Sequence, residues 1–386
     1  MPEAVIVDVV RTPIGRAFKG SLASLRPDEA LAHVVDRVLE RNPEIDPSSV
    51  EELIAGCGQP QGLQANNIAR IAVLLSDKLG EETTGSTVSR YCASGLDAIR
   101  AAANNVIAGQ GDTFVAAGVE FVSSYNGAQE AAHPEDRHPD LQGGDGRPDA
   151  FIAMGLTAEN VAERHGVSRE EQDRYAQRSQ ERAVQAQRDG FFDREIVPVR
   201  VNGTQVSTDD GPRPSSTLEG LAALGPAFRP GGTVTAGNSC PLNDGAAAAI
   251  VMSDTKAREL SLAPRARIVS AATWGNEPEY MGVAPIGAVG KALERAGMTI
   301  EDVDVYELNE AFAAQVIPIV QAVGFDYDKL NPHGGAIALG HPFGMTGVRI
   351  MATLLNDLET LDAQVGLETM CVAGGQGEAI IVERLK

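Results

Sequence analysis

Short apolar runs that alternate with helical repeats restrict how this chain can fold more than any other feature. The run at residues 4–10 has the length and composition of a buried strand. An acidic helix start follows at Pro27-Asp28-Glu29, and apolar residues then recur at helical spacing. Further strand-like runs lie at 53–55 and 113–119. This alternation predicts a mostly parallel sheet covered by helices.

The pattern changes between residues 120 and 242. Segments 133–149 and 207–232 read as loops. Between them, Ser168-Arg169-Glu170-Glu171 forms a capping box that opens a helix ending at Gly190. We interpret this region as an insertion that is either a solvated flap or a lid over a ligand tunnel. Long ordered loops favour the lid.

The strand–helix pattern resumes after the insertion. A core run at 245–253 completes the first unit, and the pattern repeats from about residue 265, ending in a strand hairpin around a Gly-rich turn. We therefore expect two similar α/β halves. The predicted domains are residues 1–119 with 243–264, the insertion at 120–242, and residues 265–386.

Charge and cysteine content exclude several classes of protein. The 386 residues include 32 basic and 53 acidic side chains, a net charge of −21, which argues against nucleic-acid or anionic-membrane partners. No apolar run approaches the roughly 18 residues of a membrane span, and the N-terminus lacks a signal-peptide pattern. The four cysteines are far apart and show no zinc spacing. These features predict a cytoplasmic protein.

Cys92 lies between a polar turn and a predicted helix. The helix is indicated by apolar residues at helical spacing: Leu96, Ile99, Ala103, Val106 and Ile107. The helix dipole and unpaired N–H groups favour a thiolate at this position, so we expect the Cys92 pKa to lie below the usual value of about 8.5. Cys92 is a candidate nucleophile. The alternative is a small residue buried under the helix.

Three later segments carry further candidate residues. Asn309 follows a predicted strand that ends at Leu308, and open α/β sheets bind ligands at the carboxyl ends of their strands. The alternative is that Asn309 caps the next helix. His341 lies in a Gly-rich loop before a helix, where backbone can approach a ligand closely. Cys371 ends a strand beside a turn with free backbone donors, which suits an acid/base thiol or an oxyanion hole.

In these motifs the chain resembles the thiolase family. The motifs are CxSGxxAI at Cys92, NEAF from Asn309, GGAIALGHPxGxTG around His341 and CxxGGQG from Cys371, in the family's order. The resemblance runs from Arg11 to the Cys371 turn. It implies a thiolase fold, in which two similar mixed-sheet α/β halves form a layered core with an inserted loop domain that binds coenzyme A. It also implies a homodimer or homotetramer with no cofactor, coenzyme A being a co-substrate.

The resemblance implies a role for each motif residue. Cys92 attacks the keto carbon of a 3-ketoacyl-CoA and becomes an acyl-enzyme. Cys371 is the acid/base for the acetyl-CoA enolate. His341 activates Cys92 and, with a water held by Asn309, binds the thioester oxygen. The backbone N–H groups of Cys92 and Ala373 form a second oxyanion hole.

The resemblance also implies the substrate-binding residues. Arg213 contacts the adenine end of coenzyme A. The remaining positions bind the pantetheine and acyl groups: Met154, Phe228, Ala236, Cys240, Ala311 and Phe312. Ala153 stands where acetoacetyl-specific members carry His, and segment 210–215 is typical of degradative members. We therefore expect thiolysis of a 3-ketoacyl-CoA.

The sequence is compatible with several alternatives. The same chemistry run as condensation would make acetoacetyl-CoA, and the acyl group could be linear, branched or derived from a sterol ring. Cys371 argues against a decarboxylating ketoacyl synthase, and the complete motif set argues against a non-enzymatic lipid carrier. His333 either faces the acyl pocket or is an ordinary polar loop residue. We expect no metal site at the loop residues His133, Asp136, His138 and Asp140.

Overall fold

The structure, a computed structural model, describes residues 2–125, 135 and 137–385. In chain order, strands β1 to β12 are Ala4–Arg11, Gly15–Arg16, Glu52–Cys57, Thr84–Val88, Thr113–Phe121, Val199–Val201, Thr204–Val206, Asn243–Ser253, Ala266–Gly275, Val305–Leu308, Val365–Val372 and Gln376–Arg384. Helices α1 to α11 are Pro27–Glu40, Ile68–Leu75, Ser94–Ile107, Met154–His165, Arg169–Arg188, Leu218–Ala222, Asp254–Glu259, Pro285–Ala296, Ala313–Val323, Ala336–Leu339 and Phe343–Thr360.

One ten-stranded mixed sheet runs through both halves of the chain. Its order is β10-β11-β12-β9-β1-β8-β5-β3-β4, and β2 pairs with β8. β3 is parallel to β4 and β5, and β10 is parallel to β11. The other neighbouring pairs, β5–β8, β8–β1, β1–β9, β9–β12 and β12–β11, are antiparallel. The prediction of a mostly parallel sheet is therefore wrong. β8 enters the sheet after the insertion and β12 after a hairpin turn, and each is antiparallel to both of its neighbours.

The two halves repeat one arrangement. In each, a parallel pair is followed by two antiparallel neighbours, as β3-β5-β8-β1 in the first half and β10-β11-β12-β9 in the second. α3 and α11 pack against each other and against strands of both halves. α1 and α2 cover the outer face of the first half, and α8 covers that of the second. The result is the layered core that the resemblance implies.

Motif glycines let the two central helices touch. A Cβ built on Gly95 of α3 would lie 2.6 Å from the carbonyl oxygen of Gly344 at the start of α11. A Cβ on Gly347 would collide with the backbone of Leu96. Real Cβ atoms do not approach backbone this closely, so glycine is required at this crossing. The contact places the Cys92 turn beside the loop that carries His341.

The insertion is packed onto the core. α4 packs against α9 and the turn at 278–283, and α5 packs against α9 and α10. The capping box at Ser168 and Glu171 is confirmed. α6, capped by Thr217, forms within a segment predicted to be loop. Among the helices of the described residues, none is both long and apolar enough to cross a membrane.

Candidate active site

Cys92 lies in a strained turn just before α3. Tyr91 has a φ of 44°, in the left-handed region that side chains other than glycine rarely adopt. Such strain costs about 1–3 kcal/mol and needs support from its surroundings. Ser94 supplies this support, because its Oγ accepts a hydrogen bond from Arg90 N at 2.9 Å and donates one to Tyr91 O at 2.6 Å. The Cys92 residue is partly exposed, while its sulfur is enclosed by neighbouring groups.

The Cys92 thiol is protonated at rest, contrary to the sequence-based expectation. Burial raises the Cys92 pKa well above its usual value, and the neighbouring groups Cys371, Cys240 and Glu120 raise it further. A hydrogen bond from the backbone N–H of Ala373 acts in the opposite direction but is the smallest of these effects. The tertiary surroundings therefore outweigh the helix dipole. A nucleophile of this kind needs a base to remove its proton.

His341 is a neutral base with a defined tautomer. Its Nδ1 lies 2.7 Å from Thr346 Oγ1, and this hydroxyl donates its own proton to Pro342 O at 2.7 Å. Nδ1 must therefore carry the ring hydrogen and donate it to Thr346, which leaves Nε2 with a free lone pair. Burial, with a smaller contribution from Arg349, lowers the His341 pKa to about 3. The ring is consequently unprotonated near neutral pH.

Asn309 holds the other side of the imidazole. Its Nδ2 lies 3.3 Å from His341 Nε2 and donates to that lone pair. The helix-cap alternative is wrong, because α9 begins at Ala313 with Phe312 at its cap. Asn309 Oδ1 is buried and has no hydrogen-bond partner among the described residues. An unpaired buried oxygen of this kind is rare and is a position for a water or a ligand.

Cys371 is held by a residue that the sequence analysis did not identify. The Cys371 thiol donates a hydrogen bond to Gln315 Oε1 at 3.0 Å, and Gln315 Nε2 donates to Asn309 O at 3.2 Å. Burial raises the Cys371 pKa to about 12. The one signal for Gln315 is that it is buried in the first turn of a helix whose other polar residue, Gln321, is exposed.

Four of the predicted substrate-binding residues surround Cys371. They belong to its apolar cluster and are Met154, Cys240, Ala311 and Phe312. Phe228 joins them through an edge-to-face contact with Phe312, with ring centroids 5.9 Å apart. Ala236 is exposed in the loop that precedes Cys240 and lies outside this cluster. Burial raises the Cys240 pKa to about 12, so this thiol is neutral.

Arg213 lies on an exposed loop that borders the His341 loop. Gly211, two residues earlier, packs so tightly on Ala338 O that a Cβ would collide with it. No carboxylate in the described part of the chain lies within 4 Å of the Arg213 guanidinium. Partial burial and the charge of Arg16 lower the Arg213 pKa. The two guanidiniums form a local cationic patch on an acidic protein.

Glu310 of the NEAF motif ties the insertion to the loop before His341. Its buried carboxylate accepts hydrogen bonds from two residues of α5, Tyr175 (2.8 Å) and Ser179 (2.6 Å). It also accepts from Asn331 Nδ2 at 2.8 Å and from Ile337 N at 3.2 Å. Four donors around one carboxylate make a rigid clamp. Glu310 therefore has a structural role in the site.

His333 does not face the acyl pocket, so that alternative is wrong. Its ring stacks on Phe191 with centroids 3.6 Å apart, and its Nδ1 lies 2.5 Å from Asp357 Oδ1. It lines a separate cavity of about 550 Å³. Burial and the charge of Arg194 lower the His333 pKa to about 4.

The His/Asp-rich loop shows no metal geometry where it is described. His133 and Asp136 lie outside the described residues. His138 Nδ1 accepts a hydrogen bond from Asp140 N at 3.2 Å, and the Asp140 carboxylate pairs with Arg147. Within the described ranges, no three His, Cys, Asp or Glu side chains are grouped to hold a metal ion.

The fold and these motif residues together define a thiolase-type enzyme. The family model for the thiolase N-terminal domain matches residues 4–255, and the model for the thiolase C-terminal domain matches residues 262–384. Together they span nearly the whole chain. The chain therefore belongs to the thiolase family.

Individual relatives agree with this assignment. The chain is 46% identical to a 3-ketoacyl-CoA thiolase of Shewanella sp. (strain W3-18-1) over 395 aligned residues, which cover 100% of both chains. It is 43% identical to a 3-ketoacyl-CoA thiolase of Citrobacter koseri with the same coverage. The crystal structure of a Bacillus anthracis acetyl-CoA acetyltransferase superposes with a TM-score of 0.90 at 39% identity, covering 100% of this chain and 99% of the other. The predicted family, thiolase fold and acyltransferase class are confirmed.

Proposed function

We propose that this protein cleaves a 3-ketoacyl-CoA with coenzyme A, giving acetyl-CoA and a shortened acyl-CoA. The observation that carries the proposal is the convergence of two thiols from different halves on one site. Cys371 is close enough to Cys92 to raise its pKa, and Ala373, two residues later, donates its N–H to the Cys92 sulfur. Two relatives named 3-ketoacyl-CoA thiolase support this substrate class.

In the first step, His341 Nε2 removes the proton of Cys92, and the sulfur attacks the keto carbon. A carbon–sulfur bond forms and the bond between C2 and C3 breaks. The electron pair passes to the thioester oxygen of the departing acetyl-CoA enolate. Having gained a proton at Nε2, His341 becomes a donor on the face where Asn309 lies. One nitrogen thus serves first as base and then as oxyanion donor.

In the second step, Cys371 gives its proton to the enolate carbon and releases acetyl-CoA. The raised pKa of Cys371 suits this role, because the thiol stays protonated until the strongly basic enolate forms beside it. The resulting thiolate recovers its proton from solvent, and coenzyme A enters as its own thiolate. That sulfur attacks the acyl group on Cys92, and the Cys92 thiolate leaves and recovers its proton from His341. The cycle needs no cofactor beyond coenzyme A as co-substrate.

Two sets of donors stabilise the oxyanions. The N–H of Ala373, which bonds Cys92 at rest, becomes available to the oxygen on the keto carbon together with the N–H of Cys92. Alanine fits at position 373 because the left-handed positions of the turn are taken by Gly374 and Gly375. The unpaired Oδ1 of Asn309 supports the water that completes the other site. Each such donor contributes about 2.7–4 kcal/mol to the transition state.

The substrate follows the apolar cluster beside Cys371. The flexible pantetheine and the acyl chain pack along Met154, Phe228, Ala311 and Phe312, which are the apolar surfaces around this sulfur. Cys240 is a weaker donor than a hydroxyl and favours an apolar contact. Arg213 and Ala236, on exposed loops, contact the nucleotide end and the outer pantetheine.

A panel of 3-ketoacyl-CoA substrates of increasing chain length, assayed with coenzyme A for acetyl-CoA release, tests this proposal. Cys92→Ala is the control, and we expect it to be inactive on every substrate. An inactive wild type, or a Cys92→Ala variant as active as the wild type, contradicts the proposal.

Condensation of two acetyl-CoA molecules is the second candidate. It is favoured by the structural similarity to an enzyme named acetyl-CoA acetyltransferase. The same groups run the reaction in reverse, so the choice depends on chain length. Thiolysis of substrates with six or more acyl carbons at a kcat/KM equal to or above that for acetoacetyl-CoA supports the degradative function. Activity confined to acetoacetyl-CoA supports the second candidate.

We also propose a cytoplasmic homodimer or homotetramer. All four cysteines are free thiols, which suits a reducing compartment. α2 presents exposed apolar side chains, including Leu74 and Leu75, beside the edge strand β4, and these support burial by a second copy. Light scattering on the purified protein and cell fractionation test the two statements. A monomer at micromolar concentration contradicts the first.

A further inference from the structure

The side chain of Gln315 is locked in one orientation between two parts of the active site. Asn309 O can only accept a hydrogen bond, so the NH₂ group of Gln315 must face it, at 3.2 Å. The carbonyl oxygen Oε1 is thereby turned toward Cys371, whose thiol donates to it at 3.0 Å. Gln315 is fully buried. A Cβ built on Gly282 would lie 2.9 Å from Gln315 Cβ, so the turn at 278–283 closes over it.

We propose that Gln315 is a positioning residue for proton transfer by Cys371. It fixes the sulfur of Cys371 relative to Asn309, and so relative to the enolate oxygen that Asn309 and His341 stabilise. The inference rests on the proposed function. Gln315 touches no substrate atom in this scheme, because its two polar atoms are occupied by Cys371 and Asn309.

The bridge joins side chains from three elements, two of which, β10 and β11, are also neighbours in the sheet. Cys371 ends β11, Asn309 follows β10, and Gln315 lies on α9. A thiol is a weak hydrogen-bonding group whose sulfur moves by rotation about the Cα–Cβ bond, so the oriented oxygen selects one rotamer of Cys371. Proton transfer to carbon requires the donor within hydrogen-bond reach of the reacting atom. Loss of the bridge therefore misplaces the sulfur while every reacting group is still present.

The acylation of Cys92 does not depend on this bridge. The Cys92 turn is supported by Ser94, and its sulfur is bonded by Ala373 N. Gln315 is bonded to neither residue in the described structure. The two half-reactions therefore have separate supports. A substitution at Gln315 should therefore slow proton transfer by Cys371 and leave the acylation of Cys92 intact.

The test compares two half-reactions in Gln315→Met, which keeps the size of the side chain and removes the amide. Deuterium uptake into the methyl group of acetyl-CoA in D₂O reports proton transfer by Cys371. Exchange of labelled coenzyme A into acetyl-CoA reports acylation of Cys92. We expect deuterium uptake to fall about tenfold or more, while thioester exchange stays within about twofold of the wild type. The matched control is Asn42→Leu, which removes a buried amide bonded to Val38 O far from the site.

A parallel fall of both rates indicates a merely structural role and overturns the inference, as does unchanged deuterium uptake. If Gln315→Met does not fold, Gln315→Leu removes the same oxygen and is judged by the same two rates. The proposed function fails separately. Wild-type protein that catalyses neither exchange contradicts that function, whereas a fully active wild type with an unaffected Gln315→Met contradicts only the role of Gln315.

Discussion

The side-chain amide of Asn309 donates to Nε2 of His341 across 3.3 Å, while Thr346 accepts from the opposite ring nitrogen. These two contacts fix both the orientation and the tautomer of the imidazole. Nε2 carries the lone pair that accepts from Asn309 and is therefore the one basic atom of the ring. Burial keeps His341 unprotonated, so this base is available to a protonated nucleophile near neutral pH.

Removing either member of this pair should cost most of the activity. We expect His341→Ala and Asn309→Ala each to lower kcat by about 100-fold or more, because each loses transition-state stabilisation of about 2.7–4 kcal/mol. Circular dichroism should show the wild-type fold. Turnover close to that of the wild type in either variant would refute the roles assigned here.

Substitutions of Cys92 and Cys371 should affect the two half-reactions differently. Cys371→Ala should lose carbon–carbon cleavage while keeping exchange of coenzyme A into acetyl-CoA, because the acyl group is carried by the other thiol. Cys92→Ala should lose both activities. Mass spectrometry should detect an acyl adduct in the first variant and none in the second. An adduct on Cys371 in wild-type protein would reverse the assignment.

His333 should reduce stability at acid pH. Its pKa of about 4 in the folded protein lies below the unfolded value of about 6.5. The unfolded chain therefore binds the proton first, and stability is lost as pH falls through this window. Relative to His333→Asn, the wild type should lose about 1.4 kcal/mol per pH unit between about pH 6 and pH 4.5. Urea unfolding of both proteins measures this, and a constant difference would show that the His333 pKa is not lowered.

Glu310→Gln should destabilise the protein. The amide puts an NH₂ group among four donors that the carboxylate satisfies. We expect a loss of about 2–4 kcal/mol in the free energy of unfolding. The exposed Glu181→Gln on the same helix α5 should change it by less than about 0.5 kcal/mol. Equal stabilities of the two variants would contradict the clamp.

Arg213→Gln should weaken binding of coenzyme A without affecting the chemistry. We expect KM for coenzyme A to rise about fivefold, equivalent to about 1 kcal/mol, with kcat within about twofold of the wild type. The exposed Arg200→Gln is the matched control. With a short pantetheine thiol that lacks the nucleotide, both variants should match the wild type. A persistent defect with that thiol would place Arg213 elsewhere in the site.

Local patterns were sufficient to predict most of the fold. Apolar runs predicted β1, β3 and β5 because these strands are almost fully buried, and helical spacing predicted α1 and α3 because each buries one face. The sequence indicated close backbone approach around His341, and the structure shows that at Gly95 and Gly347 this approach is between two helices. Strand direction was not readable. It depends on where β8 and β12 re-enter the sheet.

The site was harder to predict because its electrostatics come from distant residues. The local helix start suggested a lowered Cys92 pKa, yet burial and three groups from other segments raise it. Gln315 and Glu310 act through partners far away in sequence, so no spacing rule identifies them. His333 was ambiguous for the same reason, since its partners are Phe191 and Asp357.

Cys92 belongs to the first half of the chain, and the N–H that bonds its sulfur comes from Ala373, 281 positions later in the sequence. This contact can form only after both halves have been synthesised and have folded against each other. Until then the Cys92 thiol lacks Ala373 as a donor and Cys371 as a neighbour. Its electrostatic surroundings are therefore a product of tertiary folding and not of the helix that follows it.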